Sequence, residues 1–496
     1  MDRRDREDYE HVLKYTGVFG GVQGLNIVVS LVRNKLVALL LGPEGMGLAS
    51  LFNTTVNFIS QSTCLGIPFS GVRRISELHD QGDEQQIAHF VKVVRGWSLL
   101  TALLGMLVCM AIGPFLSGFT FSWGDHSLHF ILLSPAVGML AVTGGETAIL
   151  KGLRRLGSLA MVQVVSVLAA LLISVPAYYL FGQTGIVPVI VMMAFVTMCV
   201  TLRQSLRLYP LQLTGARGIL GEGMGMVRLG VAFTLAGIIG SAAEMLVRSY
   251  LNVAGNLDTL GLYNAGYMLT ITYAGMVFSS METDFFPRLS AVNHDIEASN
   301  LTVNRQIEVS LLILSPMLAA LIVMLPVLIP LMFSREFVAI VGMAQVAVLA
   351  MFFKVVTLPV AYITLARGSS LSYLLLESTY YIVFVVLIVV GFRWWGLLGT
   401  GFAIAAAHVF DLLMIHAYAR IKYGYRISAT VCVYASVQIL LGLLAYASTV
   451  VLDGLSYWVA GVALTLASTL YSLQALRRKT RLWESLVRRL RSALRI

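Results

Sequence analysis

Residues 31–48, LVRNKLVALLLGPEGMGL, place a cation, Arg33, inside an apolar run. The pattern returns later in the chain. Leu31-Val32-Arg33 is echoed by Leu246-Val247-Arg248 at an offset of 215, and Gly47-Leu48 by Gly261-Leu262 at 214. Arg74-Ile75-Ser76 comes back as Arg288-Leu289-Ser290 at 214, while Pro114 with Pro330 and Lys151-Gly152 with Arg367-Gly368 are 216 apart. One such match in so apolar a chain is chance. Five near one offset, built on Arg, Gly and Pro, indicate two copies of one membrane unit. Each copy carries a cation within its first helix, where a charge is costly and usually functional.

The chain is 58% hydrophobic and 12% charged, with a mean hydropathy of +0.82. No soluble domain hides that much apolar surface, so the bilayer is its solvent. A crossing helix needs about 20 apolar residues, and fourteen such stretches can be read between residues 13 and 476. Long unbroken runs such as Leu311–Met332 exclude a transmembrane barrel, whose strands alternate in polarity. Of the 35 Lys and Arg residues, 29 fall on one side of this map. The positive-inside rule then places both termini in the cytoplasm. The net charge of +10 is mostly this orientation signal and gives no argument for nucleic acid. The four cysteines, Cys64, Cys109, Cys199 and Cys432, are isolated, without metal-ligand spacing.

The expected fold is an all-α polytopic membrane protein: two parallel six-helix repeats around a central cleft, then a two-helix hairpin. An offset spanning six helices keeps both copies in the same orientation. The lobes are expected at 1–205 and 225–422, joined by a cytoplasmic linker at 206–224. Residues 423–476 form the extra hairpin. Residues 477–496 form a basic amphipathic tail, suited to an anionic leaflet.

Enzyme signatures are absent: there is no GxxxxGK[ST], HExxH, GxSxG or CxxC. No metal or cofactor is expected, and what remains is transport. Arg33 lies 19 residues beyond Lys14 and Arg248 lies 20 beyond Arg228. At 1.5 Å per residue both sit about 28–30 Å along their helices. Two readings compete: a pair facing the cleft, or two side chains reaching the outer interface. In the cleft they would hold an anion, with Arg suited to forked contacts on phosphate. Arg74 and Arg288 form a second repeated pair, either receiving the same anion at the cytoplasmic side or serving as ordinary anchors. Lys354, the deepest cation at 13 residues from Arg367, is a further candidate for binding the anionic substrate, and its first-copy counterpart is read near Gly138.

Glu244 and Arg248 stand at i, i+4, which favours a neutral pair within one helix. Asp284 and Arg288 share that spacing. Asp411 and His408 share a helix face at i, i+3 and either bind a coupling proton or cation or bond structurally between helices. Glu377, expected to be buried with no partner evident, is a further ion-coupling candidate, and Glu146 is expected to reach the nearby interface. Tyr263, Tyr267, Tyr273, Tyr373, Tyr380 and Tyr381 suit sugar stacking or plain packing.

The opening LKYTGVFGGVQGLNIVVSLVRNKLVALLLGPEGMGLASLFN, the following GVRRISE and ILKGLRRLG resemble the polysaccharide transporter family. That family lies within the superfamily of lipid-linked oligosaccharide flippases and multidrug exporters. The resemblance covers nearly the whole chain and is strongest from Lys14 to Arg155. It implies a bacterial inner-membrane flippase moving a polyprenyl-diphosphate-linked O-antigen or capsule repeat unit outward by alternating access. It also implies a cationic cavity for the diphosphate, a role carried here by Arg33 and Arg248. The expected partners are the lipid-linked glycan, membrane lipids, H⁺ or Na⁺ as coupling ion, and a polymerase and glycosyltransferases of the same pathway. A multidrug antiporter is the rival, but spans 1 to 3 hold no acid apart from Glu44 at the outer edge. A lipid II flippase of cell-wall synthesis shares the arginine logic.

Overall fold

A computed structural model describes residues 3–120, 126–210, 219–272, 275, 278, 285–286, 288–290, 292 and 294–479. Trp123, Tyr273, Asp284, Trp483, residues 211–218 of the linker and the tail beyond Lys479 lie outside the described residues. Every regular element among the described residues is helical. In order these are α1 (Arg3–Thr63), α2 (Ile67–Gln81), α3 (Glu84–Thr120), α4 (Ser127–Gly152), α5 (Leu156–Phe181) and α6 (Ile186–Leu206). Then come α7 (Ile219–Ala254), α8 (Leu257–Tyr267), α9 (Ile296–Met332), α10 (Val341–Ala366), α11 (Ser370–Tyr423), α12 (Ala429–Val451) and α13 (Gly454–Lys479).

Nine helical stretches among the described residues are long and apolar enough to cross a membrane. The protein is therefore a multi-pass membrane protein. Leu99, Leu103 and Leu107 form an i, i+4, i+8 stripe on α3, each at least 60% exposed. Water would penalise such a stripe, whereas lipid accepts it. The longest stretch, Ser370–Tyr423, has 54 residues; straight, it would run about 80 Å against a hydrocarbon core of about 30 Å. It breaks at Trp395 and Gly396. Gly157–Leu206 breaks at the 3₁₀ turn Gly182–Gly185, and α1 breaks at Gly42, just before Pro43. These breaks fall where the hydropathy reading separates one span from the next.

The duplication is written into the backbone, in one register of 214. Helices α4 and α10 each have 26 residues. After them, Arg154 and Gly368 both take positive φ (56° and 65°). Arg155 and Ser369 both sit at φ −81°, ψ 65°. The amide of Leu153 bonds to Ile149 and that of Arg155 to Leu150; Arg367 bonds to Ile363 and Ser369 to Thr364 in the same way. At the next corner Gly182 (φ 54°, ψ −134°) matches Gly396 (φ 56°, ψ −137°). That region of φ/ψ space is essentially open to glycine alone. The 216 pairing of Lys151-Gly152 with Arg367-Gly368 is therefore corrected: Leu153 and Arg154 are the counterparts of Arg367 and Gly368. The counterpart of Lys354 is then Leu140 rather than Gly138.

Packing divides the chain into two compact units, Met1–Asn264 with Leu331–Glu336, and Ala265–Pro330 with Phe337–Ile496. In the first, α1 packs on α5 and α7, and α4 packs on α2, α3 and α6. The amphipathic α2 buries Ile67, Ile75 and Leu78 against Ile87, Val91, Val94 and Trp97 of α3, with Ile149 and Leu153. In the second, α10 is apolar on all sides and mostly buried, as a central helix must be. It packs on α11, α12 and the π-turn Met268–Thr272. The α12–α13 hairpin is held by polar bonds suited to lipid surroundings: Gln438 Nε2 donates to Ser472 Oγ (2.8 Å), and Ser468 Oγ donates to Gln438 Oε1 (2.6 Å). Tyr457 fastens it to α9 by donating to the Val323 carbonyl (2.7 Å).

Candidate functional site

Within the first unit, the second half of α1 crosses α8 at two glycines 214 apart. A Cβ on Gly47 would collide with the Leu257 carbonyl and come within 3.1 Å of the Gly261 nitrogen. A Cβ on Gly261 would collide with the Pro43 carbonyl and come within 3.0 Å of the Gly47 nitrogen. Pro43 and Leu257 are themselves 214 apart, so the contact is self-reciprocal, as a twofold relation requires. Ser50, one turn along, donates to Asn264 Oδ1 at 3.0 Å, again across an offset of 214.

Arg248 is bonded to this crossing. Its Nε donates to Ser50 Oγ (3.0 Å), and Nη1 donates to Glu244 Oε2 (3.1 Å) and the Glu244 carbonyl (3.3 Å). Its side chain is only 9% exposed, whereas Glu244, at 42%, is open. The i, i+4 neutral pair expected from spacing is thus formed. Arg33 is half-buried and held differently. It donates from Nε to Ser174 Oγ on α5 (3.0 Å) and from Nη2 to Met193 Sδ on α6 (3.8 Å), with Tyr178 beside it. The structure gives the two arginines separate partners, and in the 214 register the counterpart of Arg33 is Val247, one residue before Arg248. Lys35 bonds the Phe333 carbonyl.

Arg74 is exposed and, with Arg73, grips Glu77 (3.3 and 3.1 Å) on the polar face of α2. The hydrogen bond from Arg73, reinforced by Arg74, holds the Glu77 carboxyl below the ordinary glutamate range. Arg288 donates to Gln306 Oε1 (3.3 Å) on α9.

The second unit collects the remaining candidates into one cluster. Lys354 on α10 stands 5.9 Å from the Phe278 ring and lies within electrostatic reach of Glu377, His408 and Asp411, all on α11. His408 is buried; its Nδ1 lies 3.0 Å from the Ile404 carbonyl, and its ring meets the edge of Tyr380 at 5.6 Å. Tyr380 in turn packs on Tyr381 and feels Tyr267. One amino group and two carboxyl groups therefore lie within electrostatic reach of one another, with phenol side chains nearby. Glu377 had no visible partner in the sequence because Lys354 lies on another helix. In the 214 register the first copy has Leu140, Gln163, Ala194 and Thr197 at these positions. Only one copy of the duplicated scaffold carries these groups.

One charged pair escaped the sequence reading. Glu146, expected at an interface, is buried and bidentate with Arg95: Nε to Oε1 at 2.8 Å and Nη2 to Oε2 at 3.3 Å. Arg95 also donates to Ser205 Oγ (3.1 Å) and the Tyr209 carbonyl (2.9 Å), tying α3 and α4 to the end of α6. No periodicity links residues 51 positions apart on separate helices. Among the described residues no group of three His, Cys, Asp or Glu could hold a metal ion.

The chain is 24% identical over 383 residues to the Lipid III flippase of Escherichia coli (strain K12), covering 73% of this chain and 87% of that protein. It superposes on the lipid II flippase MurJ in an inward closed conformation with a TM-score of 0.69 at 13% identity. That match covers 93% of this chain and 99% of the other. A multidrug resistance MATE family transporter of the MOP superfamily, in an inward-facing conformation, matches with a TM-score of 0.66 at 14% identity, over 80% and 94%. These structural likenesses establish the fold. The polysaccharide biosynthesis protein family matches residues 12–293, more than half of the sequence, and the chain belongs to that family.

Proposed function

We propose that the protein is a flippase that carries a polyprenyl-diphosphate-linked oligosaccharide, an O-antigen or capsule repeat unit, from the cytoplasmic to the outer leaflet of a bacterial inner membrane. The observation that carries this reading is the pair of intramembrane guanidinium groups, Arg33 and Arg248, on the corresponding helix of each copy and one residue out of step in the 214 register, in a polysaccharide biosynthesis protein. The relation to a protein named a Lipid III flippase supports the cargo class. A diphosphate is the group for which forked Arg donors are suited. Arg74 and Arg288 would meet it at the cytoplasmic side, with both termini on that side. In this reading fourteen crossings form two lobes, 1–205 and 225–422, that alternate access.

The Lys354–Glu377–His408–Asp411 cluster is the coupling element of this scheme. One carboxyl group in excess of the ammonium is a seat for H⁺ or Na⁺ within the bilayer, where an unbalanced charge is costly. The test is complementation of a strain lacking its own repeat-unit flippase. The wild type should restore surface glycan, and Arg33→Ala and Arg248→Ala should each abolish it while still inserting at normal levels. Full complementation by both variants would refute the anion role. Failure of the wild type would refute the cargo.

A further inference from the structure

The corner where α10 ends and α11 begins, together with the last turn of α11, holds a cationic group of side chains that the coupling cluster and the repeated arginines leave unused. Lys422 Nζ donates to Ser372 Oγ (2.7 Å) and to the Tyr418 hydroxyl (2.8 Å), and the Tyr418 hydroxyl donates to Ser372 Oγ (2.6 Å). Lys422 also stands 5.7 Å from the Tyr423 ring, and the Arg367 guanidinium stands 5.4 Å from that same ring. Arg367 Nε is buried without a hydrogen-bond partner. Among the described residues neither cation pairs with a carboxylate. Two like charges are thus gathered on one phenol ring, with N–H donors to spare and no counter-ion among the described residues.

The duplicated scaffold shows that this arrangement is not demanded by the fold. In the 214 register Arg367, Lys422 and Tyr423 correspond to Leu153, Leu208 and Tyr209. There Leu153 belongs to an apolar core and Leu208 and Tyr209 pack against it, sealed by α2 and α3. One copy closes this corner with leucines, and the other opens it as a pair of cations. Cation–π contacts with tyrosine offset only part of the mutual repulsion; an anion seated between the two would offset the rest. The amides that open α11 add the positive end of its dipole.

We propose that Arg367, Lys422, Ser372 and Tyr418 form a receptor for a phosphate group borne on a lipid, at the end of the helices where basic residues concentrate. Two lipids supply that chemistry, the polyprenyl diphosphate of the cargo and an anionic phospholipid of the inner leaflet; the first identification rests on the flippase reading above. The experiment uses the full chain in phosphatidylcholine nanodiscs, a photoreactive farnesyl diphosphate as probe, and peptide mapping of the label. Label should concentrate on the segments around residues 367–372 and 418–423. It should fall about tenfold in R367Q/K422Q, the scale expected when charge-assisted phosphate contacts are lost. R367L/K422L places in this corner the residues its twin already tolerates, and should show the same loss with an unchanged melting temperature; R393Q, a cation elsewhere, should keep the label. Displacement by excess phosphatidylglycerol would identify the phospholipid, and resistance to it the polyprenyl diphosphate. Displacement by inorganic phosphate alone, or labelling of both double variants at the wild-type level, would overturn the proposal. Because the readout is binding rather than glycan export, its failure leaves the complementation test of the flippase reading standing.

Discussion

Removing one member of a buried ion pair leaves the other charge without compensation, and Arg95–Glu146 is such a pair. Arg95→Met strands a carboxylate that is almost fully covered. The expected cost is about 3–5 kcal/mol, seen as a lower melting temperature of the detergent-solubilised protein. R95M/E146L should recover most of that loss, since it removes both charges; a double variant as unstable as R95M would refute the pairing. The Lys354 cluster invites a related test with a different readout. Glu377→Gln and Asp411→Asn leave the fold intact but remove the excess negative charge. If the cluster couples transport to an ion gradient, proteoliposomes containing either variant should lose the acceleration that an imposed H⁺ or Na⁺ gradient gives the wild type. Retained acceleration in both would detach the cluster from coupling. The spacing of Asp411 and His408 was readable along one helix, as was Glu244 with Arg248. Lys354 with Glu377 was not, because the pair spans two helices.

At the scale of elements, two kinds of glycine do different work. Gly47 and Gly261 allow two backbones to touch, and a methyl group on either would overlap a carbonyl oxygen of the other helix. Gly47→Ala and Gly261→Ala should each cost at least the 1–3 kcal/mol, roughly, of an overpacked core, with nearly equal losses because the contact is reciprocal. Strongly unequal melting shifts would argue against the twofold reading. Gly182 and Gly396 have open space around the missing Cβ but a positive φ. Alanine there should cost about 1–3 kcal/mol, from backbone strain alone. The breaks in α1 and α11 were legible as punctuation between hydrophobic runs. The register of 214 was legible only approximately: matches at 215 and 216 competed with it, and equal backbone angles at corresponding corners decided among them.

For the whole molecule, the distribution of Lys and Arg predicts that both termini face the cytoplasm. A green fluorescent protein fused after Ile496 should be fluorescent, and a periplasm-dependent alkaline phosphatase at the same point should be inactive; the opposite result would invert the orientation and move the Arg367–Lys422 corner to the wrong leaflet.

The amino-acid sequence alone determined that this chain lives in a bilayer, that it is helical, that it is duplicated and that it belongs to the polysaccharide biosynthesis protein family. Those conclusions rest on local quantities, namely hydropathy along a helix, charge between spans and similarity at a fixed offset. The tertiary structure decided which charges meet. It buried Glu146 against Arg95, gathered Lys354 with Glu377 and Asp411, gave Arg33 and Arg248 different partners, and left two cations together on Tyr423. The physical reason is that charge pairing depends on distances of a few ångströms between helices far apart in the chain, and helical periodicity carries no information about them.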